Sequence, residues 1–104
     1  MSERLESLRE MLADDPEDAF TRYAYAMELR SLERVDEALV EFARLVEGAP
    51  DYVATYYQYA RALQACGRLP EAQAAARRGV DVAGAQGDAH TQGELEDLLA
   101  ELEA

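Results

Sequence analysis

Residues 16–49, PEDAFTRYAYAMELRSLERVDEALVEFARLVEGA, decide the fold when laid over residues 50–83, PDYVATYYQYARALQACGRLPEAQAAARRGVDVA. A shift of 34 residues puts Pro16 on Pro50 and gives twelve identities in 34 places. Chance gives about two or three for ordinary composition. The identities include Tyr23 with Tyr57, Tyr25 with Tyr59, Ala26 with Ala60, Leu29 with Leu63, Arg34 with Arg68, Glu37 with Glu71 and Ala38 with Ala72. They fall at helix-packing spacings and are not scattered. A fixed period of this length marks a repeat architecture, in which each unit buries its apolar face against a neighbour.

The apolar spacing outside the duplicated segment is also helical. Leu5, Leu8, Met11 and Leu12 share one face near the N-terminus, and Leu95, Leu98, Leu99 and Leu102 do so near the C-terminus. No stretch alternates with period two, and no Asn-Gly or Asp-Gly hairpin signal occurs, so the chain reads as all-α. Five breaks cut it into six pieces: Asp15-Pro16, Ser31–Arg34, Ala49-Pro50, Gly67–Pro70 and Gly84–Gly87. Pro70 belongs in a first helical turn, where its missing N–H costs nothing, with Glu71 at the positive end of the dipole. Gly84 reads as a left-handed terminator. Thr91 and Glu94 form a capping-box pattern, so the last helix starts there or earlier, at Asp88.

This two-helix unit of 34 residues resembles the tetratricopeptide repeat. The family's first helix carries a large aromatic, then a leucine-small pair, then a tyrosine; Tyr56, Tyr59-Ala60 and Leu63 stand at those places in the second unit. The first unit reads Arg22, Tyr25-Ala26 and Leu29. The family's second helix has a small residue, an aromatic four later and a proline after the helix, matched by Ala38, Phe42 and Pro50. The second unit keeps Ala72 but has Ala76 for the aromatic and Gly84 for the proline. The inter-helix glycine is Gly67, with Glu33 at the same place in the first unit.

Small residues at positions 26, 38, 60 and 72 let two helices approach where they cross, and the larger side chains fill the space around them. The resemblance implies a right-handed α-α superhelix of about six antiparallel helices. Its parts are an N-terminal helix over 1–14, repeats over 16–49 and 50–83, and a capping helix over 88–104, in one domain. Under the same shift, Leu5, Leu8, Met11 and Leu12 fall on Leu39, Phe42, Leu45 and Val46, so the first helix reads as a lone second helix of a preceding repeat. The leucines of the last helix lie one or two places out of register with the first helices, which marks it as a cap.

At 104 residues the chain suits one core. It has no lysine, asparagine or tryptophan, so all ten basic residues are arginine, and Schiff-base and phosphate-loop lysine chemistry is excluded. The formal net charge of −12 repels phosphate backbones and anionic membrane surfaces, which argues against nucleic-acid and membrane partners. One cysteine, no apolar leader and no run of about 20 apolar residues point to the cytoplasm. Residues 1–18 carry a net −5 and residues 88–104 a net −6, against −1 for the middle. The ordinary account of that acidity is a solvent-facing cover at each end that stops end-to-end stacking. The competing account is an acidic docking surface for a basic partner.

Each first helix has a second stripe beside its packing stripe. It consists of Phe20, Tyr23, Ala24, Met27 and Arg30 in repeat one and Ala54, Tyr57, Gln58, Arg61 and Gln64 in repeat two. In the resembled family that face lines a concave groove for an extended peptide or a partner helix. The resemblance therefore implies a non-catalytic protein-interaction module, with Phe20, Tyr23, Met27, Arg30, Tyr57, Gln58, Arg61 and Gln64 contacting a protein or peptide. Aromatics with arginines are the types that anchor interfaces. The plainer account has Phe20, Tyr23 and Met27 packing on the N-terminal helix. Some members of the family grip chaperone tails with lysine and asparagine; Tyr23, Met27 and Gln58 stand there instead, so a chaperone-tail carboxylate clamp is rejected. The alternative function is structural self-association as a homodimer through the terminal helices.

No metal, cofactor or catalytic residue is implied. Cys66 reads as a small buried hydrophobe. His90 has no second ligand nearby and is expected to be exposed. Arg77-Arg78 are a solvated pair, and the carboxylate pairs Asp14-Asp15 and Glu96-Asp97 are helix surface. No serine sits in a nucleophile-elbow sequence.

Overall fold

The computed structural model describes residues 2–104 as helices joined by short turns, with no strand among the described residues. The helices are α1 (Glu3–Asp14), α2 (Ala19–Ser31), α3 (Val35–Gly48), α4 (Ala54–Ala65), α5 (Leu69–Ala85) and α6 (Ala89–Glu103). They form two compact units that divide between Ala49 and Pro50. In the first, α2 packs against α1 and α3; in the second, α5 packs against α4 and α6.

The chain ends its helices in two ways, and both repeat. Prolines close α1 and α3. The residue before a proline is disfavoured in helical geometry, and Asp15 and Ala49 leave the helix at φ −141° and −140°. Their N–H groups close the last turns on Met11 and Leu45. In this ending α1 resembles α3, the second helix of its repeat. The other ending is a left-handed residue at Glu33 (φ 62°), Gly67 (φ 74°) and Gly87 (φ 71°). The next N–H then reaches back five residues: Arg34 to Leu29 O, Arg68 to Leu63 O and Asp88 to Ala83 O, at 2.9 to 3.0 Å. Arg34 and Arg68 each put two guanidinium N–H groups on Glu37 and Glu71, which stiffens the first turns of α3 and α5.

Gly84 is not the terminator expected of it. It lies inside α5, and the left-handed residue is Gly87. Where Pro16 and Pro50 stop the helix before them, position 84 offers no such block. The helix therefore runs on, reaching 17 residues against the 14 of α3. The last helix starts from Asp88, whose side chain accepts the Thr91 N–H at 3.1 Å; the capping-box start at Thr91 is one turn late.

The first core is built from Leu5, Leu8 and Leu12 of α1, Ala26 and Leu29 of α2, and Ala38, Leu39, Phe42 and Leu45 of α3. Met11 departs from its expected place on that face: it is 50% exposed, whereas its repeat counterpart Leu45 is 2% exposed. In the second core the large side chains sit on other helices. Tyr56 and Leu63 of α4 and Leu95, Leu98 and Leu102 of α6 close over a face of α5 made of Ala72, Ala75, Ala76, Gly79 and Ala83. Gly79 is the point of closest approach. A Cβ there would stand 2.5 Å from the Tyr56 Cβ and 2.9 Å from a Leu95 methyl. The two repeats differ in which helix carries the bulk: α3 has Phe42 and Leu45 where α5 has Ala76 and Gly79, and α4 has the buried Tyr56 where α2 has Arg22. The burial of Leu95 and Leu98 repeats the spacing of Ala60 and Leu63, one place later than the 34-residue shift puts them. No helix among the described residues is long and apolar enough to cross a membrane.

Candidate functional site

In the first unit, α2 carries Phe20, Tyr23, Met27 and Arg30. Phe20 is 66% exposed, and the other three are half-buried. Tyr23 meets the buried Phe42 of α3 edge to face, with ring centroids 6.5 Å apart. Helix α1 meets α2 at Tyr25 and Glu28. Ser2 Oγ donates to Glu28 at 2.7 Å, Arg4 pairs with the same carboxylate at 3.6 Å, and Arg9 lies over the Tyr25 ring, 6.0 Å from its centroid. The Tyr23 ring is braced by the hairpin's own second helix.

In the second unit, Tyr57, Gln58, Arg61 and Gln64 are all half-buried on α4. Three of them form one polar assembly. The Arg61 guanidinium lies over the Tyr57 ring, 5.4 Å from its centroid, and its Nε and Nη2 donate to the Tyr57 hydroxyl at 3.3 and 3.1 Å. Its Nη1 donates to Gln64 Oε1 at 2.9 Å and to Glu101 Oε2 of α6 at 2.6 Å. Gln64 Nε2 donates to the same carboxylate oxygen at 3.2 Å. The hydrogen bond to Glu101, and then the one to Tyr57, raise the Arg61 pKa. Arg61 and then Gln64 lower that of Glu101. No spacing in the sequence points to Glu101, because α6 is brought against α4 by the packing of both on α5.

A second missed cluster lies in the first unit. Glu41 of α3 is buried between two arginines, Arg22 of α2 and Arg44 one turn along α3. Arg22 Nη2 also donates to the Pro16 carbonyl oxygen at 2.9 Å. Beside it is a cleft of about 380 Å³ lined by Pro16, Glu17, Arg22, Arg44 and Gly48. The second unit has a cleft of about 500 Å³ at the matching place, lined by Asp51, Arg78, Asp81 and Val82. None of the eight candidate residues lines either of these two clefts.

Cys66 is exposed, not the buried hydrophobe expected. It follows the last residue of α4 and precedes the left-handed Gly67, so its side chain stands at a turn and has no helix to pack on. His90 is exposed and lies 3.2 Å from Glu94 one turn on. Asp14, Asp15, Glu96 and Asp97 are exposed.

A tetratricopeptide repeat family profile matches residues 29–91. Among solved structures, a tetratricopeptide repeat domain protein from Salinibacter ruber is 38% identical by its solution structure. The match covers 86% of this chain and 90% of that one, with a TM-score of 0.82. A solution structure from Bordetella parapertussis is 25% identical over 99% of this chain and 90% of the other, with a TM-score of 0.83. The TPR2B domain of yeast Sti1, solved in complex with pHsp70, shares the fold at 21% identity, with 95% and 79% coverage and a TM-score of 0.88. No curated protein sequence matches the chain.

Proposed function

The chain belongs to the tetratricopeptide repeat family, and on that premise we propose that it is a non-catalytic module that docks a peptide or partner helix. The docking faces are those of α2 with Phe20, Tyr23, Met27 and Arg30, and of α4 with Tyr57, Gln58, Arg61 and Gln64. The observation that carries this reading is Phe20. A phenylalanine two-thirds exposed, on the same helical face as the half-buried Tyr23 and Met27, is the side-chain set that interfaces anchor on. The Tyr57–Arg61 stack on α4 supports it, since a pre-oriented guanidinium loses little entropy on binding. The yeast Sti1 domain of the same fold was solved with a protein ligand, which supports protein partners in general. The absence of lysine and asparagine speaks against the chaperone-tail clamp. The lone thiol supports a cytoplasmic site of action.

The test is quantitative affinity capture from the native cell, comparing wild type with Phe20→Ala and with Tyr57→Ala/Arg61→Ala. All three should give the same helical circular dichroism, and both variants should lose the partners that wild type holds. Full retention by folded variants refutes the assignment. Self-association through α1 and α6 is the less favoured reading, because segments of net −5 and −6 repel at low salt. Light scattering at low and high salt separates the two, since a salt-promoted dimer favours self-association.

A further inference from the structure

We infer, resting on the docking face proposed for α4, that Glu101 is an internal competitor: its carboxylate occupies an Arg61–Gln64 station that accepts an aspartate or glutamate side chain of the partner. The station already binds such a group. Glu101 Oε2 receives Arg61 Nη1 at 2.6 Å and Gln64 Nε2 at 3.2 Å, while the Tyr57 hydroxyl fixes the far edge of the guanidinium. Geometry that holds one side-chain carboxylate holds another.

The contact is also dispensable for seating α6. Leu95, Leu98 and Leu102 bury that helix, Gln73 donates to the Leu102 carbonyl oxygen at 2.9 Å, and Arg77 pairs with Glu103 at 2.8 Å. The pair itself is open to solvent, with the Arg61 side chain 30% and the Glu101 side chain 53% exposed, so the carboxylate can swing aside without unpacking anything. Charge sets the chemistry of the partner. A chain of net −12 repels an acidic run, so the competing carboxylate is carried by an otherwise neutral or basic peptide.

The probe is an acetylated and amidated seven-residue peptide, alanine-rich with two arginines and one central glutamate, beside its glutamine counterpart. Binding is read by NMR from the Arg61 Nε–H and Gln64 side-chain resonances in wild type and Glu101→Ala, and from the Gln64 side chain alone in Glu101→Ala/Arg61→Ala. The glutamate peptide should bind Glu101→Ala about threefold more tightly than wild type, the size expected for removing an exposed pair. The glutamine peptide should show no gain, and the double variant should lose the effect. Glu101→Gln, which keeps the shape of the side chain, should give an intermediate gain and guards against disturbance of α6. Equal affinity in wild type and Glu101→Ala, an equal gain by the glutamine peptide, or no Arg61 response at millimolar peptide overturns the inference. Tyr57 ring shifts that are the same for both peptides and indifferent to Glu101 would leave the docking face standing and remove the competitor. Failure of the docking face itself shows separately, as unchanged partner capture by the Tyr57→Ala/Arg61→Ala variant.

Discussion

Arg22 and Tyr56, 34 positions apart, do the same job with different chemistry. Each donates to the carbonyl oxygen of the proline six residues before it, Arg22 to Pro16 at 2.9 Å and Tyr56 to Pro50 at 2.7 Å. The bond ties the incoming chain to the first helix of its repeat. Arginine can serve in the first repeat because Glu41 neutralises it. Tyrosine serves in the second, where the place of Glu41 is taken by Ala75. Tyr56→Phe should therefore cost about 1 kcal/mol, the net worth of one hydrogen bond. Arg22→Ala should cost more, about 2 kcal/mol or above, because it leaves Glu41 buried with only Arg44. Urea denaturation of both variants measures the difference.

The two threonines at matching places predict opposite outcomes. Thr21 Oγ1 donates to Asp18 at 2.6 Å. Thr55 Oγ1 is buried with no partner, because Tyr52 stands where Asp18 stands in the first repeat. Thr21→Val should destabilise by about 1 kcal/mol. Thr55→Val should be neutral or stabilise by about 1 kcal/mol, since it removes an unsatisfied hydroxyl at constant shape. Thermal melts of the pair decide it.

Glu33 holds the left-handed conformation that Gly67 holds in the second repeat. A side chain there costs about 1–2 kcal/mol, partly offset by the greater freedom of glycine when unfolded. Glu33→Gly should stabilise by about 0.5–1 kcal/mol, and Gly67→Ala should destabilise by about 1 kcal/mol. A Glu33→Gly variant that melts lower than wild type would contradict the argument.

Gly79→Ala should be among the most damaging small changes. The added methyl meets the Tyr56 Cβ, which cannot swing away as a side-chain tip would. Overpacking of this kind costs about 1–3 kcal/mol, and α4 and α6 both lose their seat on α5. Chemical denaturation reads the loss, and a variant of wild-type stability would show that the close approach is not as drawn.

The Glu101 carboxyl sits below its ordinary value of 4.5, first because Arg61 donates to it and then because Gln64 does. A carboxyl lowered in the folded state adds stability above its unfolded value and loses it as pH falls through the folded one. The melting-temperature gap between wild type and Glu101→Gln should be present at neutral pH and close below about pH 4. Pairing the two chains cancels the general charge effects of acidification, so a gap that widens in acid would contradict the assignment.

The duplication, the helical class and the closure of α1 and α3 by Pro16 and Pro50 can be read directly from the residues. So can the run-on of α5, because position 84 holds a glycine and no proline. The stripe residues of α2 and α4 follow from periodicity alone, and three of them, Tyr57, Arg61 and Gln64, do meet. Their fourth member, Glu101, could not be read, because nothing near position 101 refers to position 61. The same holds for Glu41, which nothing in the local sequence marks out and which is buried between arginines.

Local order in the chain was sufficient for period, helix identity and helix ends, because these depend on backbone geometry and on neighbours within a turn or two. Which helix would carry the bulk of each core, which acid would meet which arginine, and whether Met11 or Cys66 would be covered were set by packing. Those outcomes depend on distances between segments up to 40 residues apart, and exchanges such as Phe42 for Ala76 leave composition and period almost unchanged.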